Sequence, residues 1–331
     1  MDCEQVESIA VIIPYYQKEA GILRATVKSA LQQRGVNNYT IIVVDDDSPI
    51  PAEKEIADLV AENTGKLKII HQANAGPGAA RNKGIDSVEG GAKYIAFLDS
   101  DDVWMEGHLE NALFALEQGY DFYFSDFYFA DYKECSVFER AGKIKSEDHQ
   151  CINEERAVYR YMGSMMDQIL IKGNVIGTPT VVYRYQKYPD LRFREQFYNG
   201  QDYVFWLDFA QTGGSIVVSF LKECDCGVGL NIYAGAGWGT ERSLERLSNE
   251  LYLWSSVKKM YSLTPEQDAS NAQKLASIRE MVVKDIFHRL VNLKKIKLNV
   301  LKKLLVSEPS FVYTVPWGFV TIVKEKLFNR F

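Results

Sequence analysis

Two carboxylates two residues apart, Asp99 and Asp101, follow the apolar run Tyr94-Ile-Ala-Phe-Leu98 with only Ser100 between them. At the end of a buried strand both can turn toward one hard cation. Oxygen donors of this kind suit Mn2+ or Mg2+, which often keep substrate phosphate in their shell. A helix cap with a solvated turn is the alternative, since Asp is common in both. Asp45-Asp-Asp-Ser48 closes a second apolar run. A carboxylate there can accept hydrogen bonds from a base N–H or a ribose hydroxyl, or simply close an Asx turn. From Asn74 to Gly84 a glycine-rich segment opens a helix. Gly76 and Gly78 let backbone approach a ligand, the helix start favours anions, and Arg81 adds a forked cation. The segment lacks the Gly-Lys-Ser/Thr of a P-loop and does not spell the dinucleotide fingerprint. A tight turn without a ligand stays open. Gln201-Asp202 begins an aromatic-rich helix, where Asp202 can be a general base or a plain cap. Tyr15 and Tyr16, after Pro14, can stack on a base or pack in the core. Cys224 and Cys226 have the wrong spacing for a common zinc pair and read as small buried hydrophobes.

The elements that would position these groups alternate over the first 130 residues. Apolar runs at 9–13, 39–44, 67–70, 94–98 and 121–124 read as strands. Helical patterns lie between them, near 22–31, from about 51, at 78–85 and at 106–118. Such alternation implies βαβ crossovers and a mostly parallel sheet, and near-continuous Val/Ile runs fit strands covered on both faces. Ligands of open sheets bind beyond the carboxyl ends of the strands, where both Asp clusters sit. Residues 130–200 give no clear pattern. A helix is expected at 201–210, a strand at 215–220, a glycine-rich loop at 227–239 and helices from about 243. The expected division is a first domain at 1–235, with a change of pattern at about 130, then a helical region at 236–331.

Composition excludes several classes. The chain has 331 residues, 47% hydrophobic and 25% charged, with 23 Gly and 9 Pro, which rules out disorder and fibrous repeats. No apolar run is long enough to predict a transmembrane helix. The acidic opening MDCEQVESIA predicts no signal peptide, and five irregularly spaced Cys point to a reduced, cytoplasmic chain. The net charge of −6 conceals an asymmetry: residues 284–331 carry ten basic and three acidic side chains, leaving −13 on the rest. An acidic body suits a divalent cation and not nucleic acid. In the tail the apolar stretch 311–323, broken by Pro316 and Gly318, is too short to span a bilayer, and with its basic residues the segment 309–331 can rest on the inner face of the plasma membrane or pack on the core or in a homo-oligomer.

Taken together, Val11-Ile-Ile-Pro-Tyr-Tyr16, Val43-Val-Asp-Asp-Asp-Ser48, Asn74-Ala-Gly-Pro-Gly-Ala-Ala-Arg-Asn-Lys-Gly84, Phe97-Leu-Asp-Ser-Asp-Asp102 and Gln201-Asp202 resemble the family-2 glycosyltransferases of the GT-A fold. The resemblance implies an α/β fold, a Rossmann-like mostly parallel sheet flanked by helices, with a helical C-terminal extension. It implies inverting transfer from a nucleotide-sugar donor to a glycan or lipid-linked acceptor, assisted by Mn2+ or Mg2+. Pro14 and Tyr16 would lie at the base, Asp45 on the base edge, and Asn74, Gly76 and Arg81 near the nucleotide. Asp99 and Ser100 would hold the ribose, and Asp101 with Asp99 the metal and diphosphate. Asp202 would be the catalytic base. Gly177, Thr178, Gln201 and Trp206 would face the acceptor, because Gly173–Thr180 resembles the family's acceptor-side segment. Two positions depart from the family: Gln201 where Glu is usual, and Gln17 where Asn often follows the tyrosine. A nucleotidyltransferase is the first rival, but it would want a glycine-rich basic loop where this chain has Pro14, Tyr15, Tyr16 and Gln17. A non-catalytic nucleotide-sugar binder is the second, and retention of Asp99, Asp101 and Asp202 speaks against it.

Overall fold

The computed structural model describes residues 8–89, 91–129, 131–227, 236–309 and 311–312. These fall into two compact units, one built from 8–195 and 202–227, the other from 196–201 and 236–312.

The first unit opens as the alternation predicts: β1 (Ile9–Tyr15), α1 (Leu23–Leu31), β2 (Tyr39–Asp45), α2 (Ala52–Glu62), β3 (Leu67–His71), α3 (Pro77–Asp86) and β4 (Tyr94–Phe97). Next come β5 (Val103–Trp104), α4 (His108–Glu117), β6 (Phe122–Phe129) and α5 (Val137–Ala141). The middle that sequence left unassigned holds β7 (Gln150–Asn153), β8 (Val158–Arg160), the single turn α6 (Met165–Asp167) and β9 (Val182–Tyr183). Helix α7 (Gln201–Gln211) and β10 (Ile216–Cys226) follow. All ten strands form one sheet, ordered β3-β2-β1-β4-β9-β6-β10-β8-β7, with β5 paired to β10. Strands β3, β2, β1 and β4 run parallel. Strand β6 runs parallel to β10, and β9 is antiparallel to both β4 and β6.

Every residue of β1 is buried, as expected of a strand covered on both faces. Helix α3 begins with Pro77, whose missing N–H is one the first turn does not use. It lies so close to the sheet that a Cβ on Gly84 would sit 2.4 Å from Ile12 Cγ2. Because β1, β2 and β4 are parallel neighbours, Tyr15, Asp45 and Phe97 end at one edge. Whatever follows each strand is therefore delivered to the same rim.

At the inner end of β10 a buried carboxylate, Glu223, gathers four partners. Its oxygens accept from Tyr123 Oη (2.7 Å), Ser219 Oγ (2.8 Å) and Asn111 Nδ2 (2.9 Å), and His108 Nδ1 lies 2.8 Å away. The Met105 amide donates to the Glu223 carbonyl at 2.9 Å, fixing the chain just past Trp104.

The second unit is helical, with α8 (Ser243–Met260), α9 (Pro265–Val291) and α10 (Leu298–Ser307). Thr264 starts α9 with a capping box shared with Gln267. Leu247, Leu251, Ile278 and Val282 are among its core residues, and Phe311 joins them. Apart from 309, 311 and 312, the tail at 309–331 lies outside the described residues. Among the described residues no helix is long and apolar enough to cross a membrane.

Candidate active site

The turn after β4 carries the first cluster. The Asp102 amide donates to the Asp99 carbonyl at 3.0 Å, so residues 99–102 fold back on themselves and crowd three carboxyl groups. Burial, reinforced by the charge of Asp99, pushes the Asp101 carboxyl up to about 6. Burial next to Asp99 and Asp101 lifts Asp102 well above the usual carboxylate range. Asp102 Oδ1 is held by the Gly227 amide at 2.7 Å. Arg81, buried in α3, forms an ion pair with Asp99 and stacks over Phe193, its guanidinium carbon 5.1 Å from the ring centre.

Asp202 stands in the first turn of α7. Burial raises its carboxyl above the ordinary value; the Arg81 charge pulls it down and the Asp99 charge pushes it up. Asn82 fixes the chain ahead of α7. Its amide donates to the Phe193 carbonyl at 2.8 Å and to Glu195 Oε1 at 2.9 Å, and its oxygen accepts the Phe193 amide at 2.8 Å. The segment leading toward α7 is thereby pinned to α3.

The second cluster surrounds the end of β2. Asp45 is buried, its two oxygens accepting the amides of Ser48 and Ala52, each at 2.8 Å. The loop-closing role left open for it is thus realised, and each oxygen keeps a second lone pair for a ligand. Asp46, given no role from sequence, organises the glycine loop. Its carboxylate accepts Gln72 Nε2 (2.6 Å) and the amides of Ala75 and Gly76 (both 2.8 Å), while its carbonyl accepts Asn74 Nδ2 (2.9 Å). Gly76 has φ 90, a region that favours glycine.

Gln17 joins the two clusters. Its amide donates to Ser48 Oγ at 2.8 Å and its side-chain nitrogen to Ser100 Oγ at 3.2 Å. The departure from Asn at this position therefore spans from the β2 loop to the Asp99–Asp102 turn. Ser100 is buried and its carbonyl accepts Thr26 Oγ1 at 3.0 Å. Pro14 lies inside β1 opposite Val44. Of the two tyrosines, Tyr15 is fully buried in the core, and only Tyr16 keeps exposed surface.

The acceptor-side residues separate. Gly177 and Thr178 lie on a short turn tied to the Asp cluster through Trp104, whose Nε1 donates to the Pro179 carbonyl at 2.5 Å. Gly177 abuts Phe127, where a Cβ would come within 2.7 Å of the ring. Gln201 is buried at the start of α7. Trp206 requires a correction: it is 1% exposed, packed against Phe122 and Phe205 with ring centres 5.5 and 5.3 Å away. Its helical position turns it into the core, so it cannot line an acceptor surface. Cys224 and Cys226 are both buried on β10, and burial pushes the Cys224 thiol far up, as suits a packing residue.

The sequence model described as Glycosyl transferase family 2 matches residues 10–171, which include both Asp clusters and the glycine loop. The succinoglycan biosynthesis protein ExoW of Rhizobium meliloti is 29% identical over 263 residues, 78% of this chain and 81% of that protein. The chain belongs to glycosyl transferase family 2. An uncharacterized glycosyltransferase of Rickettsia conorii is 31% identical over 204 residues, 61% of this chain but 30% of its own length, so the chain spans under a third of that relative. Among solved structures, S. aureus TarS 1–349 in complex with UDP-GlcNAc has a TM-score of 0.56 at 18% identity, covering 93% of this chain and 82% of that one. A mannosyltransferase from Pyrobaculum calidifontis, in complex with GDP-Man and Mn2+, has a TM-score of 0.54 at 11% identity, covering 98% and 88%. These likenesses show the fold: this family-2 glycosyltransferase has the GT-A architecture, with a helical C-terminal part.

Proposed function

We propose that this glycosyltransferase moves a sugar from a nucleoside-diphosphate sugar, a UDP-sugar being the first choice, to a hydroxyl of a glycan or lipid-linked glycan in surface-polysaccharide assembly. The relative named for succinoglycan biosynthesis and the fold shared with a UDP-GlcNAc complex support that choice. What carries the reading is the family-2 match over residues 10–171 together with the ion pair of buried Arg81 with Asp99 beside Asp101. The donor half is assigned to about 1–130 and the acceptor half to about 131–235.

In the proposed reaction Asp202 takes the acceptor hydroxyl proton while that oxygen bonds to the anomeric carbon, opposite the departing diphosphate. Attack from that face inverts the anomeric centre. A single positioned base suffices, unlike glycoside hydrolysis with its second carboxylic acid. Arg81 is suited to the nucleotide's charge, and Tyr16 and Asp45 to the base. Asp99 and Asp101 fit Mn2+ or Mg2+: both offer hard oxygen, and burial, with the Asp99 charge adding to it, lifts Asp101 to about 6, a cost that a bound cation would relieve. Such an ion, when bound, neutralises diphosphate charge.

The test is release of UDP from a panel of UDP-sugars with Mn2+ and glycan acceptors. Asp101→Ala should lose Mn2+-assisted UDP affinity, and an unchanged affinity would remove the metal assignment. Transfer from GDP-sugars alone would overturn the choice of nucleotide.

A further inference from the structure

Helix α9 ends at Val291 and α10 begins at Leu298, and the surface of this junction is apolar where solvent should favour polar groups. Half of the large hydrophobic side chains exposed among the described residues fall between 290 and 312. Leu293 is 93% exposed and Leu298 82%. Along α10, Val300, Leu304 and Ser307 face the unit's own core. Leu298, Lys302 and Leu305 are spaced i, i+4 and i+7 and share the opposite face, with Val306 beside them. Leu293 also holds a left-handed backbone, φ 50. Asn, Asp and Gly are at ease there and Leu is not. Neither burial nor backbone preference accounts for leucine at 293.

Charge identifies the occupant. From Leu290 to Ser307 the chain has five lysines and no acidic residue, in a protein of net charge −6. A second copy meeting this face across a two-fold axis would set lysines against lysines. The chain's own residues 313–331 bring Lys324, Lys326 and Arg330 against a single acid, Glu325, and so add like charge. An anionic occupant is selected, one that accepts leucine and lysine alternating along a chain.

We propose that the α9–α10 junction docks on an anionic membrane surface. Leu293, Leu298, Leu305 and Val306 enter the boundary between headgroups and acyl chains, and Lys295 and Lys302 meet lipid phosphates. This goes beyond the transfer reaction, and its readout does not depend on turnover.

The full chain is cosedimented with phosphatidylcholine vesicles, with and without phosphatidylglycerol. The wild type should pellet only with the anionic vesicles and be released by salt. The double variants Leu293→Asp/Leu298→Asp and Lys295→Glu/Lys302→Glu should each lower the bound fraction at least about fivefold with Tm unchanged, because these side chains are exposed. A wild type that stays in the supernatant overturns the proposal, as does a leucine variant that pellets like wild type. So does a concentration-dependent dimer that the leucine variant abolishes in the absence of vesicle binding, which would give the face to a second copy.

Discussion

Gly227 leaves no room for a side chain against Asp101: a Cβ there would lie 2.1 Å from the Asp101 carbonyl oxygen. The same residue's amide holds Asp102 at 2.7 Å. The end of β10 thus clamps the acidic turn from behind.

Gly227→Ala should therefore displace the 99–102 turn. Backbone against backbone has no flexible end to yield, so overpacking should cost about 1–3 kcal/mol of stability. UDP affinity in Mn2+ should fall more than tenfold, read by calorimetry on protein shown to be folded. Wild-type affinity would mean that the turn tolerates movement.

Asp46→Ala removes the acceptor for Gln72 and for two backbone amides. Water can reach these donors, so each lost hydrogen bond costs about 0.5–1.5 kcal/mol, and the glycine loop should lose its shape. Urea denaturation should report the destabilisation. Hydrogen exchange at residues 75–76 should rise before that of the sheet.

Asp202→Asn keeps the shape of the side chain and removes the proton acceptor. Turnover should fall by about 10²–10⁴-fold while UDP binding survives. Near wild-type turnover would withdraw the base assignment.

The pH dependence has a definite sign. A base works deprotonated, so kcat at saturating donor should fall as pH drops through the Asp202 pKa. Burial places that limb above the ordinary aspartate value of about 3.9. Arg81 favours the carboxylate, so Arg81→Gln should move the limb to higher pH. A limb that stays in place in that variant would show the two groups uncoupled.

Glu223→Ala separates stability from the site. It strips a buried acceptor from Tyr123, Ser219 and Asn111 and should cost about 3–5 kcal/mol by urea denaturation. The fraction that folds should bind UDP as the wild type does.

Local signals carried the strands β1 to β4. Strands β1, β2 and β4 are fully apolar or nearly so, although β1 runs one residue past Pro14. Asp99, Asp101, Arg81 and Asp202 stood out only through their order along the chain, since an Asp at a cap or turn is common by itself. Strands β5 and β9 were not: two residues have no period, and their pairing partners lie far away in sequence. Asp46 was visible as an acid in a turn, but its grip on Gly76 depends on a register thirty residues long that no local pattern encodes. Trp206 misled because a resemblance assigns positions, while only the helix phase decides which side a ring faces.

Strand β9 touches β4 through two residue pairs and β6 through two more. That is a narrow seam between the parallel strands β3, β2, β1 and β4 and the rest of the sheet. Val182 and Tyr183 each serve two ladders, so a one-residue slip there would shift β4 against β6 and expose both faces of the join at once.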